Sequence, residues 1–182
     1  EGGRDYRLVS AAGDVDVEWV DIPGHEGVQG MQVTTPRVGL GDIVVEIPVV
    51  QAAAPDRTVL CFSAKGSTYV NILYLRIIDR SGGQWLSFVE LDRNWRDYTV
   101  SLADFRLRNA PPGMEDAVLD PANIARLTIG MVRTLLWTEK AGSFALGPVA
   151  IGVSSEPEFV PTSEVLKWRV QYDVYGIRYP EW

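Results

Sequence analysis

Tyr74 and Arg76 alternate with Leu73, Leu75 and Ile77, so they leave one side of a strand whose other side is apolar. The stretch Ser81-Gly82-Gly83 then reads as a hairpin turn. Taken as a four-residue loop, Arg80–Gly83 pairs Asp79 with Gln84, setting Trp85 across from Ile78 and Ser87 across from Arg76. A slip of one residue would bring Phe88 and Glu90 to that face instead. A later strand, Leu127–Arg133, laid beside the hairpin adds Arg126, Thr128 and Gly130 to the same side. The set combines ring planes for stacking with a guanidinium fork and hydroxyls that fix donors and acceptors. Trp137, in Leu-Leu-Trp-Thr-Glu-Lys, falls on a loop near the sheet edge, as a stacking platform or a hydrophobic plug. Such groups recognise a ligand; they do not break bonds.

Other chemistries find little material. His25 is the only histidine and Cys61 the only cysteine, which leaves no internal disulfide, no cysteine-rich zinc site and no histidine triad. Cys61 lies in Thr-Val-Leu-Cys-Phe and is expected to be a small buried hydrophobe. Acids outnumber bases 24 to 17, for a charge of −7. That argues against nucleic acid and against an anionic membrane surface, both of which call for clustered Lys and Arg. No apolar run approaches the ~20 residues of a membrane span. Carboxylate-pair catalysis survives only weakly, because acids such as Glu115 and Asp116 fall in turns or on strand faces.

The elements that must position these residues are short and β-rich. Val15, Val17 and Trp19 alternate with Asp14, Asp16 and Glu18, the period of a half-buried strand. Further apolar runs recur through residue 153, separated by Pro23-Gly24, Gly39–Gly41, Pro55-Asp56, Pro111–Gly113 and Ala141-Gly142. One short helix is expected at Asp120–Arg126, with Asp120 as cap and Pro121 at the first helical position. Nine or so strands with regular turns predict an all-β sandwich or barrel. Residues 1–154 are expected to form this module. Residues 155–182, with Trp168, Tyr172, Tyr175, Tyr179 and Trp182, are expected to pack on it or to lead into a neighbouring domain. A chain that opens on Glu1 is expected to be a mature product or an excised piece.

The segment from Leu73 to Phe105 resembles the middle of the galactose-binding-like jelly rolls that serve as carbohydrate-binding modules beside glycoside hydrolases. It holds an apolar strand ending in Asp79, a Ser/Gly turn, a second strand, Trp95, and a strand closing on Leu102-Ala103-Asp104-Phe105. Asn123–Gly130 and Ser143–Ile151 resemble the last two strands, and the likeness spans roughly residues 15–153. It implies a jelly-roll β-sandwich of two antiparallel sheets. It also implies packed positions for Trp95 and Phe105, and a turn-forming role fits Asp79.

Relatives often hold calcium between the first strand region and an acid on the last strand. Asp14, Asp16 and Glu18 would supply the first part of a structural calcium site, but Phe144–Pro148 carries no acid for the second, and three acids at period two read equally as one solvated strand face.

The resemblance further implies a secreted or cell-envelope protein. A sugar suits the aromatic face, since its apolar C–H side stacks on rings while its hydroxyls need fixed partners. The expectation is a non-catalytic carbohydrate-binding module, ligated through Tyr74, Arg76, Trp85, Ser87, Arg126, Thr128 and Trp137, in one chain with a catalytic domain. The rival expectation is a structural sandwich whose aromatic face packs on that domain without a glycan.

Overall fold

Alternation of apolar and polar side chains builds the strands, and turn residues end them. The computed structural model describes residues 6–10, 15–36, 43–47, 56–113, 117–131 and 140–153, with two short strands at 172–173 and 176–177. In chain order the strands are β1 (Arg7–Ser10), β2 (Asp16–Asp21), β3 (Gln29–Thr35), β4 (Ile43–Ile47), β5 (Val59–Lys65) and β6 (Ile72–Asp79). There follow β7 (Gln84–Glu90), β8 (Arg96–Ser101), β9 (Arg106–Asn109), β10 (Ile124–Met131) and β11 (Gly142–Gly152). A two-residue ladder joins β12 (Tyr172–Asp173) to β13 (Gly176–Ile177).

Two antiparallel sheets face each other. Sheet A has the order β1-β4-β10-β6-β7-β9, and sheet B the order β2-β3-β11-β5-β8. The fold is all-β, as the turn spacing predicts, and it is the two-sheet jelly-roll sandwich that the resemblance implies. Leu73, Leu75, Ile77, Leu127 and Ile129 of sheet A meet Met31, Val33, Leu60, Phe62, Phe144 and Leu146 of sheet B in one core. Each such side chain, fully buried, stabilises the fold by about 1.5–3 kcal/mol relative to exposure. Phe105 joins this core, as expected. The late strands are not at the edges: β10 lies between β4 and β6, and β11 between β3 and β5.

Several local expectations need correction. The short helix is a single 3-10 turn, Pro121–Asn123, with Asp120 capping Ala122 N–H at 2.9 Å. From Ile124 onward the chain is taken into sheet A by pairing with β6 and β4, and tertiary pairing overrides local propensity. Cys61 is half-buried, not buried. The core set of β5 is Val59's neighbour Leu60 with Phe62 and Ala64, so odd-numbered Cys61 turns outward beside Thr99, with sulfur and hydroxyl oxygen 4.0 Å apart. Trp95 is outside the core and lies over the outer surface of sheet B, where it meets Gly30. Of the aromatic C-terminal segment, only the backbone ladder of β12 and β13 is among the described residues.

Candidate functional site

The outer face of sheet A is organised in transverse rows, because residues paired across neighbouring strands share a side. One row crosses all six strands: Arg7, Glu46, Thr128, Arg76, Leu86 and Arg106. Beside it run Val44, Gly130, Tyr74 and Phe88. On its other flank are Arg126, Ile78 and Gln84. The rows lie ~6.8 Å apart, two residues along a strand, and neighbours within a row ~4.8 Å apart.

The structure keeps Tyr74 and Arg76 on this face and places Arg126, Thr128 and Gly130 beside them, as the sequence reading expected. It removes Trp85 and Ser87. The expected loop of four residues is a loop of three: Gly82 N–H bonds Asp79 C=O at 3.1 Å and Asp79 N–H bonds Gly83 C=O at 3.0 Å. Gly82 takes φ +93°, the left-handed residue that follows a type I turn in a three-residue hairpin loop. One residue fewer in the loop moves every side chain of β7 to the other face. Trp85 therefore pairs with Ile77 and Ser87 with Leu75, both inside the sandwich, while Leu86 and Phe88 turn outward. Trp85 is 3% exposed and Ser87 4%.

Asp79 holds this arrangement. One carboxylate oxygen accepts from Ser81 N–H at 2.9 Å, Gly83 N–H at 2.9 Å and the Ser81 hydroxyl at 2.5 Å. The other accepts from Trp85 Nε1–H at 2.8 Å. Burial works against the ionised form, yet the hydrogen bonds from Ser81, Trp85 and Gly83 outweigh it and hold the carboxyl below its ordinary range. The turn-forming role expected for Asp79 is what the geometry shows. Sequence reading missed the indole as its fourth partner.

Arg76 is half-buried in the middle of the face. Its Nε–H donates to Thr128 Oγ1 at 3.2 Å, and its guanidinium carbon lies 5.5 Å from the Tyr74 ring centroid. No carboxylate pairs with Arg76 among the described residues. Arg126 contacts Glu46, Nε to Oε2, at 3.5 Å. Tyr74 is only 6% exposed and Thr128 3%, so the accessible aromatic here is Phe88, which is half-buried. The alternation of Trp85-Leu86-Ser87-Phe88-Val89 fits either register, and only the loop length decides between them. Trp137 lies outside the described residues.

The acids considered for calcium separate in the same way. Asp14 lies outside the described residues. Asp16 and Glu18 point outward from sheet B, opposite Thr34 and Gln32, and Glu18 accepts from Gln32 Nε2 at 2.5 Å. Among the described residues, no three His, Cys, Asp or Glu side chains gather into a metal-binding group.

No protein-family model matches the chain, and no curated protein matches it in sequence. Solved structures do match. The family 11 carbohydrate-binding module of Clostridium thermocellum, in complex with a β-1,3-1,4-mixed-linked tetrasaccharide, superimposes with a TM-score of 0.63 at 20% identity, covering 86% of this chain and 94% of that one. The solution structure of CtCBM11 gives a TM-score of 0.67 at 20% identity, over 86% and 92%. A family 30 carbohydrate-binding module gives 0.51 at 12% identity, over 79% and 87%. An exo-β-agarase matches over 83% of this chain but only 24% of its own length, with a TM-score of 0.56 at 12% identity. The chain thus has the jelly-roll fold of carbohydrate-binding modules.

Proposed function

We propose that the protein is a non-catalytic carbohydrate-binding module that takes a glycan chain on the outer face of sheet A. The observation that supports this is the adjacency of two unlike rows. Tyr74 and Phe88 form an apolar, aromatic row, and Arg76, Thr128 and Glu46 form a hydrogen-bonding row beside it. A sugar presents the same two characters, one apolar face and one rim of hydroxyls. Phe88 is the stacking residue, and Arg76, anchored by Thr128, supplies fixed donors. The fold's relatives include a carbohydrate-binding module in complex with a mixed-linked tetrasaccharide and a domain of an exo-β-agarase, which supports an accessory role in a longer, extracellular polysaccharide-degrading chain.

Affinity electrophoresis through gels with mixed-linkage β-glucan, agarose or an acidic polysaccharide tests the reading. Retardation in at least one gel is expected, with Phe88→Ala weakening it about tenfold, a loss of ~1.4 kcal/mol. Unretarded migration in every gel would leave a sandwich that packs on a partner domain as the better reading.

A further inference from the structure

We infer that the glycan taken by this face is acidic, carrying carboxylate or sulfate groups; this rests on the function proposed above. The chain as a whole bears −7, yet among the described residues the strands of sheet A turn outward four arginines, Arg7, Arg76, Arg106 and Arg126, against two acids, Glu46 and Glu90. The outer face of sheet B reverses the sign: Asp16, Glu18 and Asp97 stand against Lys65. Charge is therefore sorted between the faces rather than spread over them.

Arg76 is the centre of the argument. It belongs to the hydrogen-bonding row and adjoins the aromatic row, half-buried, with Nε already bonded to Thr128 and the guanidinium 5.5 Å from the Tyr74 ring centroid. That bond fixes the plane of the guanidinium and leaves both terminal nitrogens without a carboxylate among the described residues. Planar, immobilised N–H pairs match carboxylate or sulfate oxygens two at a time. Neutral hydroxyls can take these donors too, but they leave the guanidinium's charge unmatched. Arg106 follows two strands away in the same row, ~10 Å off, and Arg7 three strands away on the other side, ~14 Å. A chain with recurrent charges laid along this row would meet a guanidinium again on either side of Arg76. Arg126 is engaged with Glu46 and so balances that acid rather than the ligand.

The experiment uses the full 182-residue chain in four affinity gels: polygalacturonate, the same polymer with its carboxylates reduced to alcohols, κ-carrageenan, and mixed-linkage β-glucan. Retardation by polygalacturonate or κ-carrageenan is expected, and which of the two retards more identifies carboxylate or sulfate as the anion. Raising salt from about 0.1 M to about 1 M shrinks the screening length from ~10 Å to ~3 Å and should weaken that retardation at least about tenfold. Arg76→Gln should do the same at low salt with an unchanged melting temperature. Arg76→Lys should fall between, because it keeps the charge and loses the fork. If Arg76→Gln unfolds, Arg106→Gln on the exposed end of the row carries the test. Equal retardation by the reduced polymer, or retardation by the neutral glucan alone, overturns the inference and leaves the proposed function standing. Migration unretarded in all four gels overturns both.

Discussion

The outer faces of the two sheets both carry a large aromatic residue, and they use it in opposite ways. On sheet B, Trp95 folds back onto its own sheet. A Cβ on Gly30 would stand 2.6 Å from Trp95 Cη2 and 3.0 Å from Leu146 C=O, so only glycine leaves room for the ring. Lys65 Nζ covers the indole from 5.5 Å. Asp92 secures the turn before it, accepting from Asn94 N–H at 2.8 Å and Arg96 Nε–H at 2.8 Å. On sheet A, Phe88 pairs with Tyr74 and remains half-buried, with Leu86 and Glu90 as its same-face neighbours along β7. An aromatic count says little about a binding surface. What matters is whether the sheet provides a recess that consumes the ring.

The comparison breaks most sharply at the hairpin that orients sheet A. Trp85→Ala should cost about 3–5 kcal/mol of folding stability, as expected for emptying a buried aromatic site, measured by urea denaturation. A loss below about 1 kcal/mol would mean that Trp85 is not a core residue. Asp79→Asn comes next, at about 1–3 kcal/mol, because Trp85 Nε1–H and the turn amides lose a charged acceptor. Its pH dependence carries a sign. Asp79 is depressed in the folded state, so its contribution is complete above the unfolded value of ~4 and is lost as pH falls through the folded one. A melting-temperature profile for Asp79→Asn should be flatter than wild type below pH ~4, and parallel profiles would count against the depressed carboxyl.

Sheet B should give a smaller response. Gly30→Ala should lift the indole from its recess, costing about 1–3 kcal/mol of overpacking and shifting tryptophan emission to the red. An unshifted spectrum would show that the ring does not depend on the gap. The smallest effect on folding belongs to Phe88→Ala, expected below about 1.5 kcal/mol because the ring supports no core layer, while glycan retardation falls. A large stability loss with unchanged retardation would make Phe88 a packing residue like Trp95.

Much of this division is legible in the sequence, and what is not has a physical cause. Leu73, Leu75 and Ile77 assign the faces of β6 because their period of two admits one buried side. The pairing of Thr128 with Arg76 follows from the same parity on β10. The faces of β7 do not follow, since Trp85 and Leu86 are equally apolar starts and the choice passes to the turn. There Gly82 and Gly83 both accept unusual backbone angles, and a loop of three or four residues looks alike in the sequence. The side chain that selects the shorter loop is Asp79, through a bond to an indole six residues away. Trp95 is hidden for a different reason: its recess is Gly30, 65 positions earlier, and no local pattern links the two.

The central placement of the last strands has a consequence for how the protein comes into being. Until β11 has been synthesised, β3 and β5 are open edges with no partner between them, and until β10 appears the same holds for β4 and β6. Nascent chain leaving the ribosome therefore accumulates hairpins, β2 with β3 and β6 with β7, that cannot close a sandwich. Their unpaired edges are templates for other chains. Both sheets become continuous only when β10 and β11 insert, and Tyr6, whose hydroxyl bonds Gly147 C=O at 2.8 Å, then ties the residue before β1 to β11. Distant pairings of this kind make folding slow, and a truncation before residue 142 would leave two half-sheets rather than a smaller domain.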